Sequence, residues 1–326
     1  MKKIIGVGGA AVAVAMGAVA WVHAETAPMI DTRLPMYERV SGITGNLNSV
    51  GSDTLNNLMT FWAEGFAKVY PNVKIQIEGK GSSTAPPALI AGSAQLGPMS
   101  RPMKASEMDE FEKKYGYKPT AIGVALDALG VYVNKDNPIQ TLNLQQVDAI
   151  FSSTLACGGV KAITTWGQLG LTGEWANAPI SLYGRNSASG TYGYFKEHAL
   201  CKGDYKGSVK EQPGSATVVE GVSNDRFGIG YSGMGYKTAG VRLLPLSGVG
   251  STTAYEATAD NVYAGTYPLS RYLYVNINKA PGKPLDPLVK NFLWYVLSQE
   301  GQQIVVKDGF VPLAKEIVDV ELKKLE

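Results

Sequence analysis

The stretch best equipped for chemistry runs from Gly184 to Thr191, where Arg185 stands four residues ahead of Ser189-Gly190-Thr191. Pro179 to Tyr183 alternates like a strand before it, and Tyr192 to Leu200 reads as a helix after it. A strand, a small-residue turn and a helix start make an anion site, because free N–H groups and the positive end of the helix dipole meet at one place. Two hydroxyls and a fork-shaped, permanently charged guanidinium would join them there. The plainer alternative is a capped turn with a surface arginine. What weighs against it is recurrence.

The same pattern appears twice upstream. Gly42 to Val50 alternates as a strand, Gly51-Ser52-Asp53-Thr54 follows, and Leu55, Leu58, Met59, Trp62, Phe66 and Val69 then recur at helical spacing. Asp53 or Thr54 is the expected N-cap. Val73 to Glu78 is a second alternating strand; it leads into Gly79-Lys80-Gly81-Ser82-Ser83-Thr84 and a helix opened by Pro86-Pro87. Gln95 to Met103 is a short apolar strand that ends in a Ser100-Arg101 turn, before a charged helix at 105–115. Thr120 to Val133 and Tyr267 to Val275 are long extended runs suited to crossing between two bodies. Helical segments are expected at 142–151, 166–169, 216–222 and 289–298, and a strand at 227–231. Strands alternating with helices define an α/β class, and two crossings define two lobes.

Together the loops would offer Thr54, Ser82, Ser83, Ser100, Ser189, Gly190 and Thr191 as neutral donors, with Arg185 as the one charged clamp. That donor set suits a dehydrated tetrahedral oxyanion without a metal or other cofactor, since many preorganised hydrogen bonds offset the loss of water. Gly79-x-Gly81 lacks the third glycine of a dinucleotide fingerprint, and no Gly-Lys-Ser/Thr phosphate loop occurs.

Lys2 and Lys3 precede an apolar run from Ile4 to Val22, and Val22-His23-Ala24 offers a small residue at a cut before Glu25. The run is long enough to pass for a membrane anchor. Its Gly and Ala content and the adjacent cleavable end favour a signal peptide over residues 1–24, hence export to the periplasm. The whole chain carries a formal charge of +2; without Lys2 and Lys3 it has 28 basic against 28 acidic residues. That balance leaves no electrostatic footprint for nucleic acid. Cys157 and Cys201 are the only cysteines. Outside the cytoplasm one disulfide is favoured, two buried free thiols being the alternative.

Enzymatic readings fare worse. Beyond residue 24 the chain keeps one histidine, His198, inside the helix after Ser189, and a serine nucleophile needs an oriented base beside it. The acidic run Glu107 to Glu112 reads as a solvated helix face, and the paired tyrosines at 192/194 and 272/274 as packing.

These residues resemble the periplasmic phosphate-binding proteins of the phosphate-specific ABC transporter. The likeness rests on Arg185-x-x-x-Ser189-Gly190-Thr191, Gly79-x-Gly81-Ser82-Ser83, Gly51-Ser52-Asp53-Thr54, Gly228-Ile229-Gly230-Tyr231, and Ser298-x-Glu300-Gly301-Gln302 through Gly309 to Leu313. It spans about Gly42 to Leu313. The resemblance implies a type II two-lobed periplasmic-binding-protein fold, each lobe a mixed sheet flanked by helices and joined by hinge strands. Lobe I would be residues 42–133 plus 269–326, and lobe II residues 134–268. It implies a monomer that performs no chemistry, closes on inorganic phosphate and passes it to a permease in the inner membrane. By position, Thr54 and Leu55 match the first loop, Ser82 the second, and Arg185, Ser189, Gly190 and Thr191 the clamp of the other lobe. Some members carry an aspartate in the third loop that accepts a proton from phosphate and so rejects sulfate. Here Ser100 and Arg101 occupy it, as in other members, and both are expected among the phosphate ligands with Ser83 and Asp53. Asp53 is then either the substitute acceptor or a helix cap. The rival functions are a binder of another oxyanion such as sulfate, a phosphate-ester hydrolase on a similar scaffold, and a structural surface protein.

Overall fold

The computed structural model describes residues 29–326, so the expected signal peptide lies outside the described residues. The first strands are β1 (Gly45–Val50) and β2 (Val73–Glu78), which pair in parallel around α1 (Asn56–Val69). Helix α1 exists because Leu58, Met59, Trp62 and Phe66 lie on one face and are all buried. Phe66 packs among Tyr37, Tyr70, Phe292 and Tyr295, with ring centroids 4.8–6.1 Å apart. A single 3₁₀ turn (Ser82–Thr84) then opens α2 (Ala85–Ala91), whose prolines stand in the first turn where no N–H is needed. Strand β3 (Gly97–Met99) and α3 (Ala105–Tyr115) follow.

Strand β4 (Thr120–Asn134) is the axis of the molecule, buried from Ile122 onward. After it come β5 (Leu142–Asn143), α4 (Leu144–Phe151), β6 (Ser181–Arg185), α5 (Gly190–His198), β7 (Lys210–Gln212) and α6 (Ser215–Asn224). Next are β8 (Gly228–Gly233), β9 (Val241–Leu243), β10 (Leu246–Ser247) and α7 (Ala259–Tyr263). The chain returns along β11 (Ser270–Ile277) and closes with α8 (Pro287–Leu297), α9 (Gln299–Lys307) and α10 (Lys315–Lys323).

One sheet path, β3-β11-β4-β8-β6-β7, runs through both lobes. The first half of β4 pairs antiparallel with β11, with Asp127 opposite Arg271; its second half, Leu129 to Val133, pairs antiparallel with β8. The two long apolar runs of the sequence are therefore the strands that join the lobes.

Two local expectations are corrected. Helix α1 starts at Asn56 with Leu55 at its cap and no side-chain cap bond, so neither Asp53 nor Thr54 caps it. Leu142 and Asn143 pair with β10 before α4 begins, because the Asn143 side chain accepts from Gln146 N (2.8 Å) while Gln146 Oε1 accepts from Asn143 N (3.0 Å). Residues 166–169 are helical as expected, in a single 3₁₀ turn.

Cys157 and Cys201 form a disulfide with Cα atoms 5.2 Å apart, closing a loop of sequence separation 44 just beyond the C-terminal end of α5. Replacing both cysteines by serine is expected to lower stability by about 4 kcal/mol through the loop entropy returned to the unfolded chain. Denaturant melts check this, and a midpoint unchanged within error would refute it.

Candidate functional site

Ser189 caps α5, its Oγ accepting from Thr191 N (3.1 Å) and Tyr192 N (3.3 Å). With both lone pairs engaged, the Ser189 hydroxyl proton is left to donate elsewhere. The Gly190 N–H is one of the helix-start donors that have no partner within the helix.

Facing this helix start are three loops from the other lobe. Thr54 Oγ1 lies 2.9 Å from Thr191 Oγ1, across the cleft. Ser82 Oγ accepts from Ser100 N (3.0 Å) and lies 3.3 Å from Ser100 Oγ, which lies 3.5 Å from Thr191 Oγ1. All of these side chains are buried. The approach is so close that two glycines are required. A Cβ on Gly190 would stand 2.2 Å from Ser82 Oγ; Gly81, at φ +123°, would place one 2.5 Å from Ala188 O. Ser83 N donates to that same Ala188 oxygen (3.1 Å), stitching the second loop to the clamp.

Arg185, at the end of β6, is 1 % exposed and sits beside this cluster's first loop. Its Nη1 donates to Ser215 Oγ (2.7 Å) and lies 3.1 Å from Asp53 Oδ2, and its Nη2 donates to Pro213 O (3.2 Å). Burial pulls its pKa down, opposed by the charge of Asp53. The Arg185 Nε–H is buried and unpartnered. Asp53 Oδ2 also accepts from Ser215 N (2.7 Å), so Asp53 does cap a helix, but it is α6 in the opposite lobe. Tyr236 reinforces the crossing by donating to the carbonyls of both Asp53 and Thr54, at 3.1 Å each.

The structure thus brings together Thr54, Ser82, Ser100, Ser189, Gly190 and Thr191, with buried Leu55 at the start of α1 and the Asp53–Arg185 pair alongside. Ser83 and Arg101 stand apart from the hydroxyl cluster. The Arg101 guanidinium forks onto Glu107 (2.7 and 2.8 Å) and donates to Ser83 Oγ (3.2 Å). Glu107 is consequently not part of a merely solvated face. Burial pushes its carboxyl up, but hydrogen bonds from Arg101 and the Lys104 amide outweigh that and hold it below its ordinary value.

Two functional-site neighbours were missed from sequence. Asp127 and Arg271 form a fully buried ion pair at 2.7 Å, and Arg271 reaches both Thr191 Oγ1 (3.0 Å) and Ser100 O (2.9 Å). The available signal was a single charge inside each of two otherwise apolar or aromatic strands. Buried charges are almost never unpaired.

Two hinge strands, two lobes and a cleft of inward-facing donors define a substrate-binding protein of the kind that closes over its ligand. Residues 38–300 match the model of the PBP superfamily domain. A phosphate-binding protein PstS of Pseudomonas aeruginosa is 59 % identical over 314 residues, 96 % of each chain, and the protein SphX of Synechococcus elongatus is 31 % identical over 81 % of this chain and 76 % of its own. Among solved structures, a Clostridium perfringens protein described as a phosphate ABC transporter substrate-binding protein, solved with bound phosphate, is similar at TM-score 0.69 and 26 % identity, covering 82 % of this chain and 100 % of that one. The chain belongs to the PstS family of phosphate-binding proteins within the PBP superfamily.

Proposed function

We propose that the protein is exported to the periplasm, binds inorganic phosphate between its lobes, and delivers it to the membrane permease of an ABC-type importer. The observation that carries this reading is the convergence of Thr54, Ser82, Ser100 and Thr191 hydroxyls at 2.9–3.5 Å on the capped start of α5. Each of these hydroxyls can turn its proton toward an anion, and Ser82 Oγ and Thr191 Oγ1 do so while a lone pair accepts from Ser100 N and Arg271, which suits an oxyanion. The phosphate ligands are Thr54, the Leu55 N–H, Ser82, Ser100, Arg185, Ser189, Gly190 and Thr191; Ser83, Arg101 and Asp53 brace them. The lobes are residues 42–133 with 269–326, and 134–268. The chain acts as a monomer and catalyses no reaction, and its family is one of transport receptors.

Calorimetric titration of ligand-stripped protein with phosphate, sulfate and arsenate tests the reading. Phosphate and arsenate are expected to bind, and the sulfate titration supplies the affinity ratio that reports on a proton acceptor in the site; undetectable phosphate binding would sink it. The same titration on Asp53→Asn separates its two roles. With Asp53 Oδ2 engaged by Ser215 N and Arg185, the ratio of phosphate to sulfate affinity is expected to stay within about twofold. A collapse of that ratio would instead make Asp53 the acceptor of the phosphate proton.

A further inference from the structure

The Asp127–Arg271 pair lies where the lobes join and where the clamp lands. Asp127 on β4 and Arg271 on β11 are directly opposite in the strand register. Both are buried, and Asp127 is doubly held: its Oδ2 accepts from Arg271 Nε (2.9 Å) and its Oδ1 from Met234 N (3.0 Å). The far end of the guanidinium then touches α5 twice. Nη2 donates to Thr191 Oγ1 (3.0 Å), and the guanidinium carbon lies 5.5 Å from the ring centroid of Tyr194, one turn further along the same helix face. Tyr194 in turn donates its hydroxyl proton to Ser270 O (2.6 Å), next to Arg271 in the chain. On the opposite side Nη1 donates to Ser100 O (2.9 Å), tying down the third loop.

We propose that Arg271, fixed by Asp127 across the two hinge strands, is a positioning residue for the anion site that turns the Thr191 hydroxyl proton toward the cleft and locks α5 against the third loop. This deepens, and rests on, the phosphate-binding reading. A guanidinium has no acceptor, so Thr191 Oγ1 must accept from Arg271, and its single proton is thereby turned away toward the cleft hydroxyls or an anion among them. A hydroxyl without that bond could turn its proton in any direction; with Arg271 on one lone pair, the Thr191 proton is kept off the guanidinium side and on the cleft side. Because the pair is built on the strands that join the lobes while its outer face binds a helix of the second lobe, the contact forms only when the clamp is seated. The buried carboxylate holds the fork in the orientation that reaches both lobes.

The test is phosphate titration of the full chain as wild type, Arg271→Lys, Arg271→Gln, Thr191→Val and the Arg271→Gln/Thr191→Val double variant, each with a thermal melt. Arg271→Gln and Thr191→Val are each expected to weaken phosphate roughly tenfold to a hundredfold, and the double variant to be no weaker than the worse single. Arg271→Lys, which keeps the charge but not the fork, falls between wild type and Arg271→Gln. Arg271→Gln leaves Asp127 buried without its cation, so Asp127→Asn/Arg271→Gln, which removes both charges, is measured alongside. It is expected to melt close to wild type and still bind weakly. Wild-type affinity in a folded Arg271→Gln or Asp127→Asn/Arg271→Gln variant, or losses that multiply in the Thr191 double variant, would overturn the role of Arg271 alone. A wild-type protein that binds no phosphate would instead overturn the underlying reading, and this role with it.

Discussion

Gly190→Ala is expected to weaken phosphate binding on the order of tenfold to a hundredfold while leaving the stability of the unliganded protein close to wild type. The added methyl group would stand 2.2 Å from Ser82 Oγ and 2.7 Å from Ser100 Oγ, both on the opposing lobe. Rotating the hydroxyls aside does not relieve the clash, because Ser82 Cβ itself would be only 2.9 Å away. Nor would Ser82 rotate without cost, since its Oγ accepts the buried Ser100 N–H (3.0 Å). The remaining way to make room is for α5 to retreat, and that is lobe opening. Gly190 stands in the first turn of α5, where alanine is a better helix former, and its φ is not positive. The substitution therefore loads its whole penalty onto the closed state. Calorimetry gives the loss of affinity, and small-angle scattering with saturating phosphate should show a larger radius of gyration than wild type. Wild-type affinity with an unchanged radius would mean that the cleft closes without this contact.

That separation between a local and a cross-cleft effect also explains what could be read from the sequence. Helix α3 occupies 105–115, the span expected from its charged pattern, since Gly116 at φ +81° stops it regardless of tertiary context. Strand–loop–helix units around Thr54, Ser82 and Arg185 were visible because turn chemistry is local. The convergence of Thr54 on Thr191 was not visible from the residues alone, because it joins positions 137 apart through β4 and β11. Asp53 illustrates the limit most sharply. Its neighbours in sequence make it look like the cap of α1, and the fold instead aims it across the cleft at Ser215 N and Arg185. Arg101 errs in the other direction: a charge beside Ser100 looked like a ligand, but Glu107, six residues on, claims both arms of its fork. Local competition for a guanidinium is decided by helix geometry that a motif does not contain.

The same reasoning makes Arg185→Gln the most damaging change to binding among the cleft polar residues. Arg185 is fully buried yet only partly engaged: Ser215 Oγ, Pro213 O and Asp53 take its two terminal nitrogens, and the buried Nε–H has no partner. An anion entering the cleft meets a cation whose desolvation has already been met in the folded state, so the attraction is not offset by fresh dehydration of the arginine. Removing it should cost about 3 kcal/mol of binding, roughly a hundredfold in Kd. Arg185→Lys is expected to recover only part of that, because an ammonium donates from one point, whereas the planar fork reaches Ser215, Asp53 and Pro213 O from two nitrogens and keeps its Nε–H for the anion. Stability of the unliganded protein should move little. Asp53 keeps 22 % side-chain exposure and its bond from Ser215 N, so solvent and that amide still partner its oxygens without Arg185. The unliganded Arg185→Gln protein should therefore melt within a few degrees of wild type, while the rise in melting temperature that phosphate produces in wild type disappears. An Arg185→Gln protein that still gains that ligand-induced rise would show that the helix start and hydroxyls bind the anion without the clamp.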